Sequence, residues 1–290
     1  ESIVAAGKGL LSRTHKLTGL QEAPAEALTK LCQQLLEHRG EASGLALASE
    51  ILAHFESLLA NERIEFFELI NEQFEADPNE IMQAADAYRK TPYFDAHSKL
   101  AKAVESPRQK LFRRLNMAPD GTLKLVRMRG YLLKPMQERS ELRAIDADLR
   151  HLFIAWFNRG FLTLERIDWN SPASVLEKIV AYEAVHEIDN LEDLRTRLAD
   201  DRRCFAFFHP AMPADPLIFV QIALTEGIAK AITPIIAPER ELTNPDSADT
   251  AVFYSITNCH NGLRGISFGN FLLKQVIEEL RHDSESISQF

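Results

Sequence analysis

The sequence predicts an α+β fold, with a helical bundle at the N-terminus and a domain built on a β-sheet after it. Three observations lead to this prediction. Apolar residues recur at helical spacing up to about residue 155. After that point, short runs of branched and aromatic residues appear in the sequence, as is typical of strands. A glycine-bearing loop finally joins the last of these runs to an amphipathic helix. We therefore expect two domains, residues 1–156 and residues 157–290.

Apolar stripes at helical spacing predict the helices of the first domain. They occupy residues 28–36, 45–59, 64–74, 81–88, 111–115, 125–133 and 142–156. Helix breakers separate them, since Pro24 precedes the first stripe, Pro78 stops the third and Gly121 lies in a turn. Short helices with short connections are typical of an antiparallel bundle.

A basic group stands out in this acidic chain: Arg113, Arg114, Arg127 and Arg129. Charged residues on a helix usually lie on its solvated face, and we interpret these four in that way. The alternative is an anion site or a contact between subunits.

The second half contains strands and fewer helices. Strand-like runs lie at 161–169, 204–208, 217–225 and 252–256. Ser171 before Pro172 predicts the start of a helix, with proline in the first helical position, and a second helix follows at 191–198. The run 209–216 holds three prolines and is predicted to be a loop.

The last predicted strand leads into Gly262-Leu263-Arg264-Gly265-Ile266-Ser267-Phe268-Gly269-Asn270 and then into a helix. A strand, a glycine-bearing loop and a helix together form a typical phosphate cradle. Small residues let the backbone approach the phosphates, and the N–H groups at the start of the helix point at them. Arg264 adds a positive charge to this predicted anion site.

Composition excludes several classes of protein. A net charge of −9 argues against a nucleic-acid-binding protein, whose footprint is basic. No apolar run approaches the length of a membrane span. Three cysteines make no disulfide framework and indicate a reducing compartment. We predict no metal site.

Isolated reactive residues carry less weight. Cys259 and His260 are adjacent in the sequence, and adjacent residues rarely point toward each other as a nucleophile and its base must. We therefore interpret them as neighbours in a loop without a catalytic role. His186 and His209 are candidate proton carriers, although a structural role is the commoner one. Glu183 and Glu187 lie at helical spacing, and we do not interpret these two carboxylates as a metal site.

The glycine loop resembles the pyrophosphate loop of acyl-CoA-binding GNAT acetyltransferases, whose pattern is Gln/Arg-x-x-Gly-x-Gly/Ala. Arg264 and Gly269 fill the first and last positions, and Ser267 replaces the middle glycine. The resemblance implies a GNAT-like mixed sheet in the second domain.

Six ordered blocks extend the resemblance to one family, the malonyl-CoA decarboxylases. They occupy residues 156–172, 182–186, 201–205, 209–225, 253–256 and 262–265, and include Tyr182-Glu183-Ala184-Val185-His186 and Phe253-Tyr254-Ser255-Ile256. The family resemblance implies a helical oligomerisation domain before the GNAT-like domain. It also implies conversion of malonyl-CoA to acetyl-CoA and carbon dioxide with no cofactor, since CoA is part of the substrate.

The resemblance further implies which residues bind the CoA pyrophosphate: Arg264, Gly265, Ile266, Ser267, Phe268, Gly269 and Asn270. The family's catalytic serine and histidine fall beyond Phe290, so we expect the sheet domain to be incomplete and these residues alone not to decarboxylate. We expect a homo-oligomer, a dimer or tetramer, without disulfides between subunits. The expected compartment is the bacterial cytoplasm, or the mitochondrial matrix or peroxisome in a eukaryote.

Two other functions stay open at this point. The cradle alone is also compatible with an acyl-CoA-dependent N-acetyltransferase. The helical half alone is compatible with a non-catalytic interaction module.

Overall fold

A computed structural model describes residues 23–38, 40–237, 240–267 and 271–290. The chain forms two compact units. The helical unit comprises the chain up to Ala155 together with Gly262–Arg264, and the sheet unit comprises Trp156–Asn261 and Gly265–Phe290. Within the described ranges, no helix is both long and apolar enough to cross a membrane.

The first helices follow one another with short connections. They are α1 (Pro24–Glu37), α2 (Glu41–Ser57), α3 (Ala60–Gln73), α4 (Pro78–Lys90), α5 (Phe94–Val104), α6 (Pro107–Asn116), α7 (Gly121–Leu132) and α8 (Arg143–Trp156). Every predicted stripe overlaps one of these helices and extends at most two residues beyond it. Helix α5 was not predicted, because Ala96 is the one apolar residue between Phe94 and Leu100 and no stripe results.

Local capping explains several of these boundaries. Helix α4 has Pro78 in its first turn, and the Asp77 carboxylate accepts the Asn79 N–H at 2.8 Å. The Ser106 hydroxyl accepts the Gln109 N–H at 3.2 Å at the start of α6. Asp120 takes a left-handed conformation, with φ of 57°, before α7 begins. The predicted turn at this point is therefore confirmed.

The core of the helical unit contains a cluster of aromatic side chains. The Phe55 ring lies 5.4 Å from the Phe66 ring and 5.6 Å from the Phe67 ring, measured between centroids. These distances are typical of favourable aromatic pairs. Helices α4 and α5, in contrast, contain no buried residue.

The sheet unit is built on a four-stranded sheet. Its strands are β1 (Thr163–Ile167), β2 (Arg202–Phe208), β3 (Ile218–Thr225) and β4 (Thr250–Asn258), in the order β1-β2-β3-β4. All neighbouring pairs are antiparallel. The sheet therefore differs from the mixed sheet that the resemblance implied. In the described chain, parallel pairing is limited to an isolated bridge from Thr250 to Gln289, where the Ala251 N–H donates to the Gln289 carbonyl at 2.9 Å.

Strand β4 contains an irregularity. Gln221 pairs with Ser255 and Ile222 pairs with Phe253, so Tyr254 is an extra residue opposite β3. Such a bulge bends a strand and changes the direction of its side chains.

The remaining helices are α9 (Ala173–Tyr182), α10 (Leu191–Arg197), α11 (Thr233–Ile236) and α12 (Phe271–Asp283). Ile179 of α9 and Leu194 of α10 share a buried core with Phe219 of β3. The predicted start of α9 is wrong by one position, because Pro172 is the capping residue and not the first helical one. The Ser171 hydroxyl instead accepts the Asp168 N–H at 3.0 Å.

Candidate functional site

The predicted cradle has the expected order of strand, loop and helix. Strand β4 ends at Asn258, a short 3-10 turn covers Asn261–Leu263, and α12 begins at Phe271. Three of the predicted phosphate-binding residues, Phe268, Gly269 and Asn270, lie outside the described residues. The geometry of the site therefore rests on the four residues from Arg264 to Ser267.

Gly262 lies directly against the backbone of α7. A Cβ atom at this position would lie 1.7 Å from the Val126 carbonyl oxygen and 3.1 Å from the Gly130 nitrogen. Both distances are below van der Waals contact, and the first is impossible without a backbone shift. Glycine is therefore required here because two backbones approach each other closely.

Gly265 is required for a different reason. Its φ is +78°, in the left-handed region, yet a Cβ atom there would have no neighbour within 4 Å. The constraint is thus conformational and not steric crowding. Around it, Arg264 and Ser267 are exposed, whereas the Ile266 side chain is 7% exposed. The exposed side of the loop therefore consists of Arg264, Gly265 and Ser267.

Arg129 of α7 holds the start of this loop. Its Nε donates to the Asp146 Oδ1 at 2.7 Å, and its Nη1 donates to the carbonyl oxygens of Gly262 at 2.6 Å and Arg264 at 2.9 Å. Arg129 is 2% exposed. The interpretation of Arg129 as a solvated helix residue is therefore wrong, because its guanidinium is buried and engaged in these bonds.

The other three arginines of the basic group also have partners within the helical unit. Arg113 pairs with Glu105, and Arg127 lies 3.6 Å from a Glu56 oxygen. Arg114 donates to the backbone carbonyls of Leu35 and His38 at the end of α1. These contacts stabilise the bundle and give no support to an anion site on this group.

Helix α12 has the predicted amphipathic form. Leu272, Val276 and Leu280 are buried, and Arg281 and His282 occupy the last turn, where positive charge suits the helix dipole. At the other end, the Arg159 guanidinium lies 4.7 Å from the centroid of the Phe271 ring. This stacking brings a second positive charge to the start of α12. Sequence reasoning did not assign Arg159 to the site, since no local pattern links it to a helix more than a hundred residues away.

His209 is held by both ring nitrogens. Nε2 lies 3.0 Å from the Trp156 carbonyl oxygen and Nδ1 accepts the Ala211 N–H at 3.1 Å. Burial lowers the pKa of His209, while the bond to Trp156 acts in the opposite direction. These contacts describe a neutral imidazole that fixes a loop, which favours the structural role over proton transfer.

Glu183 is the centre of a buried polar cluster in the sheet unit. Its carboxylate accepts the backbone N–H groups of Val185 and His186 and the hydroxyl of Ser255, at 2.8 to 3.1 Å. Helix α9 ends at Tyr182, so the helical spacing of Glu183 and Glu187 does not place them on one helix face. A fully bonded carboxylate of this kind joins segments together.

The cysteines have no reactive character. Within the described chain Cys32, Cys204 and Cys259 are free and buried. Burial raises the pKa of Cys204 to about 12, and burial also raises the pKa of Cys259. A thiol held in its protonated form is a poor nucleophile, which agrees with the interpretation of Cys259 and His260 as neighbours in a loop without a catalytic role.

Two family models match the chain in order along its sequence. The chain matches a family model described as malonyl-CoA decarboxylase N-terminal domain over residues 74–157, and one described as malonyl-CoA decarboxylase C-terminal domain over residues 160–290. The mitochondrial malonyl-CoA decarboxylase of Anser anser anser is 38% identical over 186 residues, and that of Rattus norvegicus is 35% identical over 201 residues. These alignments cover 62% and 67% of this chain, and 37% and 41% of the two relatives.

Solved structures give closer matches. The malonyl-CoA decarboxylase of Rhodopseudomonas palustris is 48% identical with a TM-score of 0.87, and that of Agrobacterium vitis is 52% identical with a TM-score of 0.85. The matches cover 91% and 90% of this chain, and 64% of each solved chain. The chain thus spans less than two thirds of the relatives that it matches. On these two domain matches and these structural matches, the chain belongs to the malonyl-CoA decarboxylase family.

Proposed function

We propose that this chain provides the acyl-CoA-binding part of a malonyl-CoA decarboxylase, which converts malonyl-CoA to acetyl-CoA and carbon dioxide. The observation that carries the proposal is the match to both family domains in chain order. In cells the reaction would control the level of malonyl-CoA in fatty acid metabolism. High identity to two bacterial proteins supports the bacterial cytoplasm as the compartment.

The proposed chemistry is a decarboxylation through an enolate. The bond between the thioester α-carbon and the carboxylate carbon breaks, carbon dioxide leaves, and the electron pair moves onto the thioester oxygen. A proton then adds to the α-carbon and gives acetyl-CoA. Because the thioester carbonyl accepts the electron pair itself, we expect no need for a metal or an organic cofactor. Hydrogen-bond donors aimed at the enolate oxygen and one proton donor are sufficient.

In this proposal the loop from Arg264 to Asn270 holds the CoA pyrophosphate. Three features support it: the exposed Arg264, the left-handed conformation of Gly265, which has no side chain, and the start of α12 a few residues later. Backbone N–H groups at a helix start and an arginine suit an anion. Arg159 at Phe271 adds a positive charge at the same helix end.

The test of the function has two arms. Calorimetric titration of malonyl-CoA, acetyl-CoA and CoA into this chain measures binding, and we expect all three to bind because they share the pyrophosphate. Release of carbon dioxide from carboxyl-labelled malonyl-CoA is measured with the full gene product.

The alternative acetyltransferase is tested with acetyl-CoA and a panel of amines. Acetylated amine without any carbon dioxide release from malonyl-CoA would contradict the decarboxylase proposal and favour the alternative. Absence of acyl-CoA binding would contradict both enzymes and favour the interaction module.

The second part of the proposal is a homo-oligomer, a dimer or tetramer, formed through the helical unit. Support comes from the hairpin of α4 and α5, in which no residue is buried and Phe94 is 81% exposed. Exposed apolar residues on neighbouring helices are typical of an interaction surface. Since the described cysteines are buried and free, association would be non-covalent.

A further inference from the structure

We infer that Arg129 is a positioning residue for the acyl-CoA loop: it fixes the backbone at Gly262 and Arg264 and thereby sets the direction of the peptide group that begins the phosphate-binding segment. This inference rests on the proposed function of the loop. It assigns to Arg129 no contact with substrate.

The geometry of one peptide group carries the inference. The Arg264 carbonyl and the Gly265 N–H belong to the same planar unit, and the structure contains no cis peptide among its described residues. In a trans peptide the N–H points away from the carbonyl oxygen. Because the Arg264 oxygen is held at 2.9 Å from the buried Arg129 Nη1, the Gly265 N–H must point away from Arg129. Arg129 therefore sets the direction of the peptide group between Arg264 and Gly265, with which the proposed phosphate-binding segment begins.

The second bond makes this arrangement rigid. The same Nη1 donates to the carbonyl oxygens of Gly262 and Arg264 at once. It therefore holds these two residues of a tight turn at a fixed distance from each other. Asp146 fixes the guanidinium from the Nε side at 2.7 Å. A planar guanidinium fork can serve all three acceptors, which a lysine ammonium cannot do with the same geometry.

A second buried ion pair in the same unit makes it possible to separate stability from positioning of the loop. A buried ion pair is often no more stabilising than a well-packed apolar pair of similar volume. The helical unit has a second buried pair, Arg108 and Asp148, joined at 2.7 Å. Arg108 also bonds to Asn71 and Glu75 and makes no hydrogen bond to the loop among the described residues. Arg108 and Asp148 thus provide a matched control.

The experiment compares two double variants, Arg129→Met with Asp146→Leu and Arg108→Met with Asp148→Leu. Each removes both charges, so that no buried charge is left without its partner. The first readout is amide hydrogen exchange of peptides covering residues 262–267 in the free protein. We expect faster exchange in the Arg129 variant only, because only that variant loses the bonds to the loop.

The second readout is calorimetric affinity for CoA, 3′-dephospho-CoA and pantetheine. In the Arg129 variant we expect affinity for CoA and dephospho-CoA to fall by about 10-fold, by analogy with the losses that follow removal of groups that orient metal ligands. Affinity for pantetheine, which has no pyrophosphate, should not change. A variant that was merely destabilised would affect all three ligands alike.

The outcomes separate this inference from the proposed function. Unchanged exchange at 262–267, or an equal loss of CoA affinity in both double variants, would overturn the inference. Wild-type protein that binds no CoA would overturn the proposed function, while hydrogen exchange would still decide whether Arg129 orders the loop. If the Arg129 double variant does not fold, Arg129→Lys keeps the charge beside Asp146 but loses the fork. It should shift exchange and affinity in the same directions.

Discussion

Two regions of the helical unit differ in how much of their helices is buried. Helix α7 buries seven of its residues, including the charged Arg129, and its backbone contacts Gly262. The hairpin of α4 and α5 buries no residue. Apolar residues at helical spacing predicted α7 and α4 alike, whereas α5 has no such stripe and was not predicted. The pattern of apolar residues identifies the apolar face of a helix. It does not tell whether other elements of the chain bury that face, as they do in α7 and do not in the hairpin.

The largest effect is expected from Gly262→Ala, which breaks the close approach of α7 to the loop. The new Cβ would lie 1.7 Å from the Val126 carbonyl oxygen, so the backbones must separate. We expect the free energy of unfolding to fall by about 4 kcal/mol, within the range of severe core changes. Urea unfolding followed by circular dichroism measures this value.

Gly265→Ala is the control, because it alters the same loop without crowding. The added Cβ has no neighbour within 4 Å, and the cost comes only from the left-handed backbone at φ of +78°. That cost is about 1–2 kcal/mol. Equal effects of the two substitutions would contradict the view that Gly262 is required for close packing against α7.

A smaller effect is expected from Arg264→Ala, which tests whether the segment held by α7 binds an anion. A hydrogen bond to a charged group contributes about 1.5–3 kcal/mol, so the dissociation constant for CoA should rise by roughly 10- to 100-fold. The loss should shrink as salt is added, since Arg264 is exposed and its charge is screened. Calorimetry at two ionic strengths measures both quantities.

Arg281→Ala is the matched control for this change. Arg281 is also exposed but lies in the last turn of α12, at the end opposite the loop, where it stacks on the Phe290 ring at 5.2 Å. Its removal should leave CoA affinity unchanged. If both variants lose affinity equally, the effect reflects overall charge and the cradle has no special role.

Local features of the fold could be predicted from the sequence, because periodicity and helix breakers act over a few residues. The strands β2, β3 and β4 and the order of strand, loop and helix around Arg264 are examples. Arg129 could not be recognised, since its partners Gly262 and Arg264 are 133 and 135 residues away along the chain. Nothing near Arg129 distinguishes it from the solvated Arg127. The sequence also could not separate the crowding at Gly262 from the left-handed backbone at Gly265.

The smallest effect on stability, and a clear effect on association, is expected from Phe94→Ser in the hairpin. Phe94 is 81% exposed and α5 buries no residue, so the free energy of unfolding should change by no more than about 0.5 kcal/mol. If the hairpin joins subunits, loss of this apolar side chain should lower the molar mass measured by light scattering after size exclusion.

Ile154→Ser is the control, because Ile154 is 60% exposed in the same unit but lies on α8. Equal masses for wild type and Phe94→Ser would contradict an interface at the hairpin, and dissociation of the wild type by reductant would contradict non-covalent assembly.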